Sequence, residues 1–330
     1  MASTVNKAFD EFMKNIVNLD KDVTNKARKS RDNLINNICK FDGDSDFFAV
    51  YDEKNMKFGS FGRNTKIREL DDIDLLICLS AEGSRTYFEG LDRRIYIYGN
   101  DNDVKNKLVH EGTNLLNSTK VINRFISKLA VLYDYRSAEM HKNMEAVTLK
   151  INSYAWNFDI VPCFYTTGDF YLIPDGKGYW KKTDPRIDQN SLSFVNQKHN
   201  GNFLNLVRLV KYFNRKNSAS AIGSYLLETM LINIYENKDI FLPWSIKEQF
   251  MEVLYALSED IYYNVYDRKS MQGNLNNYSC NEREKISANF YQAYLKAFDA
   301  INFEKTGEQE KAIIKWCEIL GPAFPEYTIK

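Results

Sequence analysis

The residues best suited to chemistry are Lys57-Phe58-Gly59-Ser60-Phe61-Gly62-Arg63-Asn64-Thr65, followed by Asp71-Asp72-Ile73-Asp74-Leu75-Leu76-Ile77-Cys78-Leu79. A glycine-flanked serine turn thus precedes a strand that carries two carboxylates. Successive side chains of a strand point to opposite faces, so Asp72 and Asp74 share one face while Ile73 and Leu75 take the other. Two acids side by side repel unless something positive sits between them, which makes the pair a candidate divalent-metal site with hard oxygen ligands, suited to magnesium. Backbone N–H groups beside Gly59 and the hydroxyl of Ser60 would face an anion, as glycine-rich phosphate loops do. A metal next to a phosphate cradle is nucleotide chemistry. Each half alone has an ordinary reading: Gly-Ser pairs make turns, and Asp-Ile-Asp at a strand edge is often two solvated acids.

The elements that must hold these residues are legible from periodicity. With 330 residues, 44% of them hydrophobic and 14% aromatic, the chain can bury a large core in one or two closely packed domains. Lys+Arg and Asp+Glu both number 44, so no overall positive field draws the protein to nucleic acid or to an anionic membrane. Cys39, Cys78, Cys163, Cys280 and Cys317 show no Cys-x-x-Cys spacing, which excludes a zinc ribbon or disulfide framework and predicts reduced, mostly buried thiols in a cytoplasmic protein. There is no apolar run of transmembrane length and no secretory signal pattern.

Val5, Phe9, Phe12, Met13, Ile16 and Val17, resumed by Leu34, Ile35 and Ile38, predict one long or broken helix over residues 3–39, a brace along the outside of the domain that Asp42-Gly43-Asp44-Ser45 ends. Strands are expected at Met56 to Phe58, Ile73 to Leu79, Arg94 to Tyr98 and Val147 to Ile151, with a helix over Thr119 to Tyr133. This mixed order argues for an α/β sheet covered by helices. Residues 168–186 read as turns crossing from one lobe to the next. Beyond them, helices are expected near Leu192 to Asn214, Ala219 to Tyr235, Ser245 to Tyr266, Glu282 to Phe303 and Gln309 to Leu320. In the first of these, Arg208, Lys211 and Arg215 share a face, by itself a solvated basic face. Ser224, thirteen residues after Lys211, is by itself a helix-start residue.

An apolar residue, Gly-Ser, eleven intervening residues (61–71) and then acid-apolar-acid-apolar together resemble the signature of the polymerase-β-like nucleotidyltransferases. That pattern requires a third acid on a neighbouring strand, and Phe158-Asp159-Ile160-Val161 fits it 85 residues after Asp74. Leu209-Val210-Lys211-Tyr212-Phe213 with Gly223-Ser224-Tyr225, the segment from Ile173-Pro174-Asp175-Gly176 to Thr183-Asp184-Pro185, and Trp316 to Gly321 with Phe324-Pro325 are similar to the CD-NTases, the cGAS/DncV-like bacterial nucleotidyltransferases. The animal enzyme's zinc-binding insertion has no counterpart, since His110, His141 and His199 lie apart from every cysteine. No DNA requirement is therefore expected.

The resemblance implies an α/β (α+β) fold: a polymerase-β-like core with a mixed β-sheet over residues 1–170, brace helix included, and a helical, oligoadenylate-synthase-like lobe over 171–330, with an active-site cleft between. It implies that Asp72, Asp74 and Asp159 are catalytic and hold two Mg2+ ions, for which Mn2+ can substitute. Gly59 and Ser60 would bind the β- and γ-phosphates, and Lys211 and Ser224 the donor triphosphate. The implied activity joins ribonucleoside triphosphates such as ATP and GTP into a cyclic di- or trinucleotide second messenger, releasing pyrophosphate. The product would act through a downstream effector in bacterial antiviral (CBASS-type) defence, with regulatory partner proteins and no membrane. The alternatives are a linear oligonucleotide synthase or RNA-end nucleotidyltransferase with the same metal site, and a nucleotide-binding regulator. Zero net charge weighs against the RNA reading, and the presence of all three carboxylates against the regulator. Tyr154, Tyr165, Tyr179 and Tyr225 are aromatic candidates for base contact that nothing in the sequence ranks.

Overall fold

The computed structural model describes residues 1–41, 47–83, 85–217, 220–238 and 244–329. The helix-ending run Asp42 to Ser45 and the expected helix start at Ala219 lie outside them. In chain order the helices are α1 (Val5–Phe12), α2 (Lys21–Ile38), α3 (Gly59–Gly62), α4 (Asp101–Lys105), α5 (Ser118–Val131), α6 (Pro185–Lys198), α7 (Phe203–Lys216), α8 (Ser224–Glu236), α9 (Ile246–Asp260), α10 (Cys280–Lys305) and α11 (Gln309–Leu320). The strands are β1 (Met56–Lys57), β2 (Asp72–Leu79), β3 (Tyr87–Glu89), β4 (Ile95–Ile97), β5 (Glu139–Asn143), β6 (Ala146–Lys150), β7 (Asn157–Tyr165), β8 (Tyr171–Pro174) and β9 (Trp180–Thr183). The chain forms two compact units that interleave in sequence.

One unit comprises Asp22–Asn64 and Leu70–Arg186 and holds the sheet, ordered β1-β2-β7-β8-β9-β4-β3, with the β5–β6 hairpin joined to β7 through β6. β2 and β7 run parallel, paired from Asp72↔Asn157 to Leu79↔Phe164. Their later residues, Leu75 to Leu79 and Ile160 to Phe164, are buried without alternation, as central strands covered on both faces must be. At their starts burial alternates: Ile73, Phe158 and Ile160 are buried while Asp72, Asp74 and Asp159 are half-buried. α5 covers this region, packing Val121, Ile122, Phe125 and Leu129 inward and meeting β5, β6 and β7. It starts at Asn117, whose side chain accepts the Lys120 N–H at 3.1 Å and so satisfies a backbone donor left open at the helix end.

The other unit comprises Met1–Lys21, Thr65–Glu69 and Ile187–Lys330 and is helical. α8 lies at its centre, with seven consecutive buried residues from Leu226 to Ile232. Phe213 of α7 packs edge-on to Phe250 of α9 and Phe290 of α10, at centroid distances of 5.9 and 5.3 Å. α10 opens with a reciprocal cap between Ser279 and Glu282. No helix among the described residues is long and apolar enough to cross a membrane.

Several elements differ from the sequence expectation. Residues 3–39 form two helices, separated by a π-helical turn at Met13–Val17 and an extended Asn18. α1 packs in the helical unit, where Phe9 meets Trp316 at 4.9 Å and Phe324 at 5.1 Å. Residues 168–186 extend the sheet as β8 and β9; these strands are too short to show a period, and Asp175 Oδ1 closes their turn by accepting the N–H groups of Lys177 and Tyr179 at 2.7 and 2.9 Å. The stretch Leu192 to Asn214 is split between α6 and α7 at Asn200-Gly201. α9 ends at Asp260, short of Tyr266.

Candidate active site

The Gly-Ser turn is placed by β1, which runs antiparallel to β2 with Lys57 opposite Leu75. The chain therefore reverses at the level of Asp74, and the Phe58 N–H donates to the Asp74 carbonyl at 3.3 Å. Gly59 then enters the single turn of α3 with φ +65°. A Cβ at this position would stand 1.7 Å from Asp74 Oδ2, so only glycine lets the turn lie against that carboxylate. Ser60, half-buried, follows directly.

The register brings the three acids to one face. Asp74 is the direct partner of Asp159 across the parallel β2–β7 pair, and Asp72 lies two residues earlier on the same face of β2. Neighbouring strands stand about 4.8 Å apart and alternate residues about 6.6 Å apart, which sets the scale of the triangle. On its other edge Asp159 is paired with Thr148 of β6, whose hydroxyl donates to Asp159 Oδ1 at 2.6 Å. Asp159 is thus held between Thr148 and the Asp74 strand position.

The donor set is all hard carboxylate oxygen, which suits a magnesium-class ion and not zinc. Among the described residues no three His, Cys, Asp or Glu side chains form a ready metal cage. Carboxylates that share a face repel one another unless a cation lies between them. By face and ligand chemistry the three aspartates fit a divalent ion.

Lys211 and Ser224 lie in the helical unit. Lys211 is 8% exposed, so it does not belong to a solvated face. Its Nζ donates to Glu228 Oε1 at 2.8 Å, and the hydroxyl of the wholly buried Thr65 donates to the same oxygen at 2.8 Å. Its two basic neighbours on α7 are tied elsewhere. Arg208 donates to Asn18 Oδ1 and Asn205 Oδ1, each at 2.6 Å, and burial pulls its guanidinium down to about 10. Arg215 donates to the Arg68 carbonyl at 2.5 Å. Ser224 is the first residue of α8 and is exposed, with Gly223 as the cap.

The aromatic candidates all have structural partners. Tyr154 stacks on Trp156 and Tyr179 on His110, at 4.8 and 4.9 Å, and Lys54 lies 4.1 Å from the Tyr165 ring centroid. The Tyr225 hydroxyl donates to Asp267 and Asp188 at 2.6 and 2.9 Å. The buried His199 uses Nε2 on the Tyr235 carbonyl at 3.0 Å.

Thr148, Thr65 and Glu228 escaped the sequence reading. Thr148 sits among apolar residues in Ala146-Val147-Thr148-Leu149, and Glu228 is a lone carboxylate in Leu226-Leu227-Glu228-Thr229-Met230-Leu231. A polar residue at an otherwise buried position demands a partner, and that was the available signal.

No protein-family model matches the chain. A protein of Bacillus cereus (strain VD146) described as a probable cyclic nucleotide synthase is 40% identical over 335 residues, spanning 99% of each chain. Among solved structures, CdnC of E. coli MS115-1, in a CdnC:HORMA-deltaN complex, aligns with a TM-score of 0.68 and 16% identity over 97% of this chain and 98% of its own. Escherichia coli DncV in its 3'-deoxy GTP bound form aligns with a TM-score of 0.57 and 15% identity over 82% of this chain and 70% of its own. The two structural likenesses establish the polymerase-β-like fold, and on that fold the 40% whole-length identity to the Bacillus cereus protein described as a probable cyclic nucleotide synthase shows that the chain belongs to the CD-NTases, the cGAS/DncV-like family of nucleotidyltransferases.

Proposed function

We propose that the protein condenses ribonucleoside triphosphates into a cyclic di- or trinucleotide at the face that carries Asp72, Asp74 and Asp159. The observation that supports this most strongly is the register of β2 on β7, which aligns Asp74 with Asp159, together with the approach of Gly59 to the Asp74 carboxylate. The Ser60 hydroxyl and the backbone at Gly59 bind the β- and γ-phosphates, while Lys211 and Ser224 are further triphosphate contacts. Divalent metals are general in this family, and Asp72, Asp74 and Asp159 would hold two Mg2+ or Mn2+ ions that offset phosphate charge and acidify the acceptor hydroxyl.

In the reaction, an acceptor ribose hydroxyl attacks the α-phosphorus of the donor and pyrophosphate leaves. The linear product keeps a triphosphate at its other end, so a further attack by its own terminal hydroxyl closes the ring with release of another pyrophosphate. Thr148 helps to hold the Asp159 carboxylate through its hydrogen bond. The biological reading is a second messenger for antiviral defence that acts through a downstream effector. The neighbour CdnC was solved with a HORMA protein, which supports a regulatory partner here.

The test is the double substitution Asp72→Asn with Asp74→Asn, assayed for pyrophosphate release from all four ribonucleoside triphosphates. The folded double variant should be inactive. Retained turnover in that variant would sink the assignment of the aspartates.

A further inference from the structure

We propose that Glu228 is the positioning residue for Lys211, fixing its ammonium in the direction from which it meets a nucleoside triphosphate. The inference rests on the reading of Lys211 as a triphosphate contact and adds the group that aims it. Glu228 lies within the buried run from Leu226 to Ile232 of α8, between Leu227 and Thr229, and is 4% exposed. A carboxylate is costly there unless it is paired and hydrogen-bonded. Well-packed apolar side chains of similar volume generally stabilise such a site as well as, or better than, a buried ion pair. The Lys211–Glu228 pair is therefore poorly explained by stability and well explained by the fixed direction it imposes.

The surroundings leave this pair little freedom. One oxygen, Glu228 Oε1, receives both Lys211 Nζ and Thr65 Oγ1 at 2.8 Å, so the threonine hydroxyl holds the carboxylate while the carboxylate holds the ammonium. Three residues on from Lys211, the buried side chain of Asn214 clamps the chain just before α8: its Nδ2 donates to the Ile222 carbonyl, and its Oδ1 accepts the Ile222 N–H, both at 2.7 Å. Lys211 and Asn214 share a face of α7, as Ser224 and Glu228 share a face of α8, by their spacings of three and four residues. The clamp and the ion pair thus fasten the Lys211 turn of α7 to the first turn and a half of α8, which Ser224 opens. An ammonium carries three donors, and the bond to Glu228 uses one of them.

The test is a double-mutant cycle on the full chain with Mg2+ and an equimolar mixture of the four ribonucleoside triphosphates, following pyrophosphate release. Lys211→Met should raise the apparent KM by about tenfold or more with little change in kcat, the size expected for a lost hydrogen bond to a charged group. Glu228→Gln should raise KM to a similar degree, and in the Lys211→Met background it should add nothing. Thr65→Val, which keeps both charges and removes only the hydroxyl, should raise KM by a few-fold and serves where Glu228→Gln does not fold. Three results overturn the proposal. In the first, Glu228→Gln and Thr65→Val leave KM unchanged while Lys211→Met raises it, so that Lys211 binds substrate unaided. In the second, Glu228→Gln raises KM by the same factor whether or not Lys211 is present. In the third, Lys211→Met leaves KM unchanged, which removes the underlying reading of Lys211 as well.

Discussion

A methyl group at position 59 is the smallest change that should separate folding from catalysis. Gly59→Ala would place Cβ 1.7 Å from Asp74 Oδ2, where ordinary contact begins near 3.4 Å, so the turn or the carboxylate must shift by about 1.7 Å. Displacing a reacting group by about 1 Å can cost on the order of a hundredfold in rate. The substitution also puts an L-residue at φ +65°, which costs roughly 1–2 kcal/mol and, for a unit of this size, about 2–8 °C in Tm. Gly112→Ala is the control: its φ is +70° and nothing lies within 4 Å of its added Cβ. Both variants should lose a few degrees by thermal melt. Only Gly59→Ala should lose about a hundredfold or more in kcat for pyrophosphate release. If Gly59→Ala turns over within a few-fold of the parent while remaining strained, the Asp74 carboxylate is not at the reaction centre and the argument from the turn fails.

Other outcomes follow from the same geometry. Thr148→Val removes the hydroxyl that holds Asp159, a bond to a charged group worth about 1.5–3 kcal/mol, so kcat should fall by roughly 10- to 100-fold; an unchanged kcat would leave Thr148 a bystander. Chelation of divalent ions should stop pyrophosphate release, with recovery on adding Mg2+ or Mn2+, while circular dichroism stays that of the folded chain. Asp267 supplies a pH prediction: burial raises its carboxyl, but hydrogen bonds from the Tyr225 hydroxyl, the Met271 N–H and Lys269 outweigh it and hold the carboxyl below its usual value. A depressed folded value means stability that is present above the unfolded pKa of about 3.9 and lost as pH falls through the folded one. Asp267→Asn should therefore melt lower than the parent at neutral pH and show a shallower loss of Tm on acidification; parallel Tm-against-pH curves would contradict this.

The carboxylate strand was legible in the sequence because its signal is local. Asp72 and Asp74 lie in one strand, and period-two alternation alone puts them on a common face. Their alignment with Asp159 depends on a pairing between strands 85 residues apart, which no local pattern encodes and which only the resemblance supplied. Helices with an unbroken apolar stripe were placed closely, as α11 shows at Gln309–Leu320. β8 and β9 were missed because four-residue strands with an aromatic or a proline at their ends resemble turn-rich sequence. The surroundings of the basic residues of α7 were not legible for a different reason. Helical spacing shows that Arg208, Lys211 and Arg215 point the same way, but not that Glu228, Asn18 and the Arg68 carbonyl are there to receive them.

If this carboxylate face carries the reaction, the protein makes a cyclic oligonucleotide. The most direct test incubates the purified protein with Mg2+ and all four ribonucleoside triphosphates, treats the mixture with phosphatase, and identifies what survives by mass spectrometry. A phosphatase-resistant cyclic di- or trinucleotide should appear and should be absent with the Asp72→Asn, Asp74→Asn variant. Linear oligonucleotides with phosphatase-sensitive ends, formed in the absence of any resistant species, would contradict this assignment.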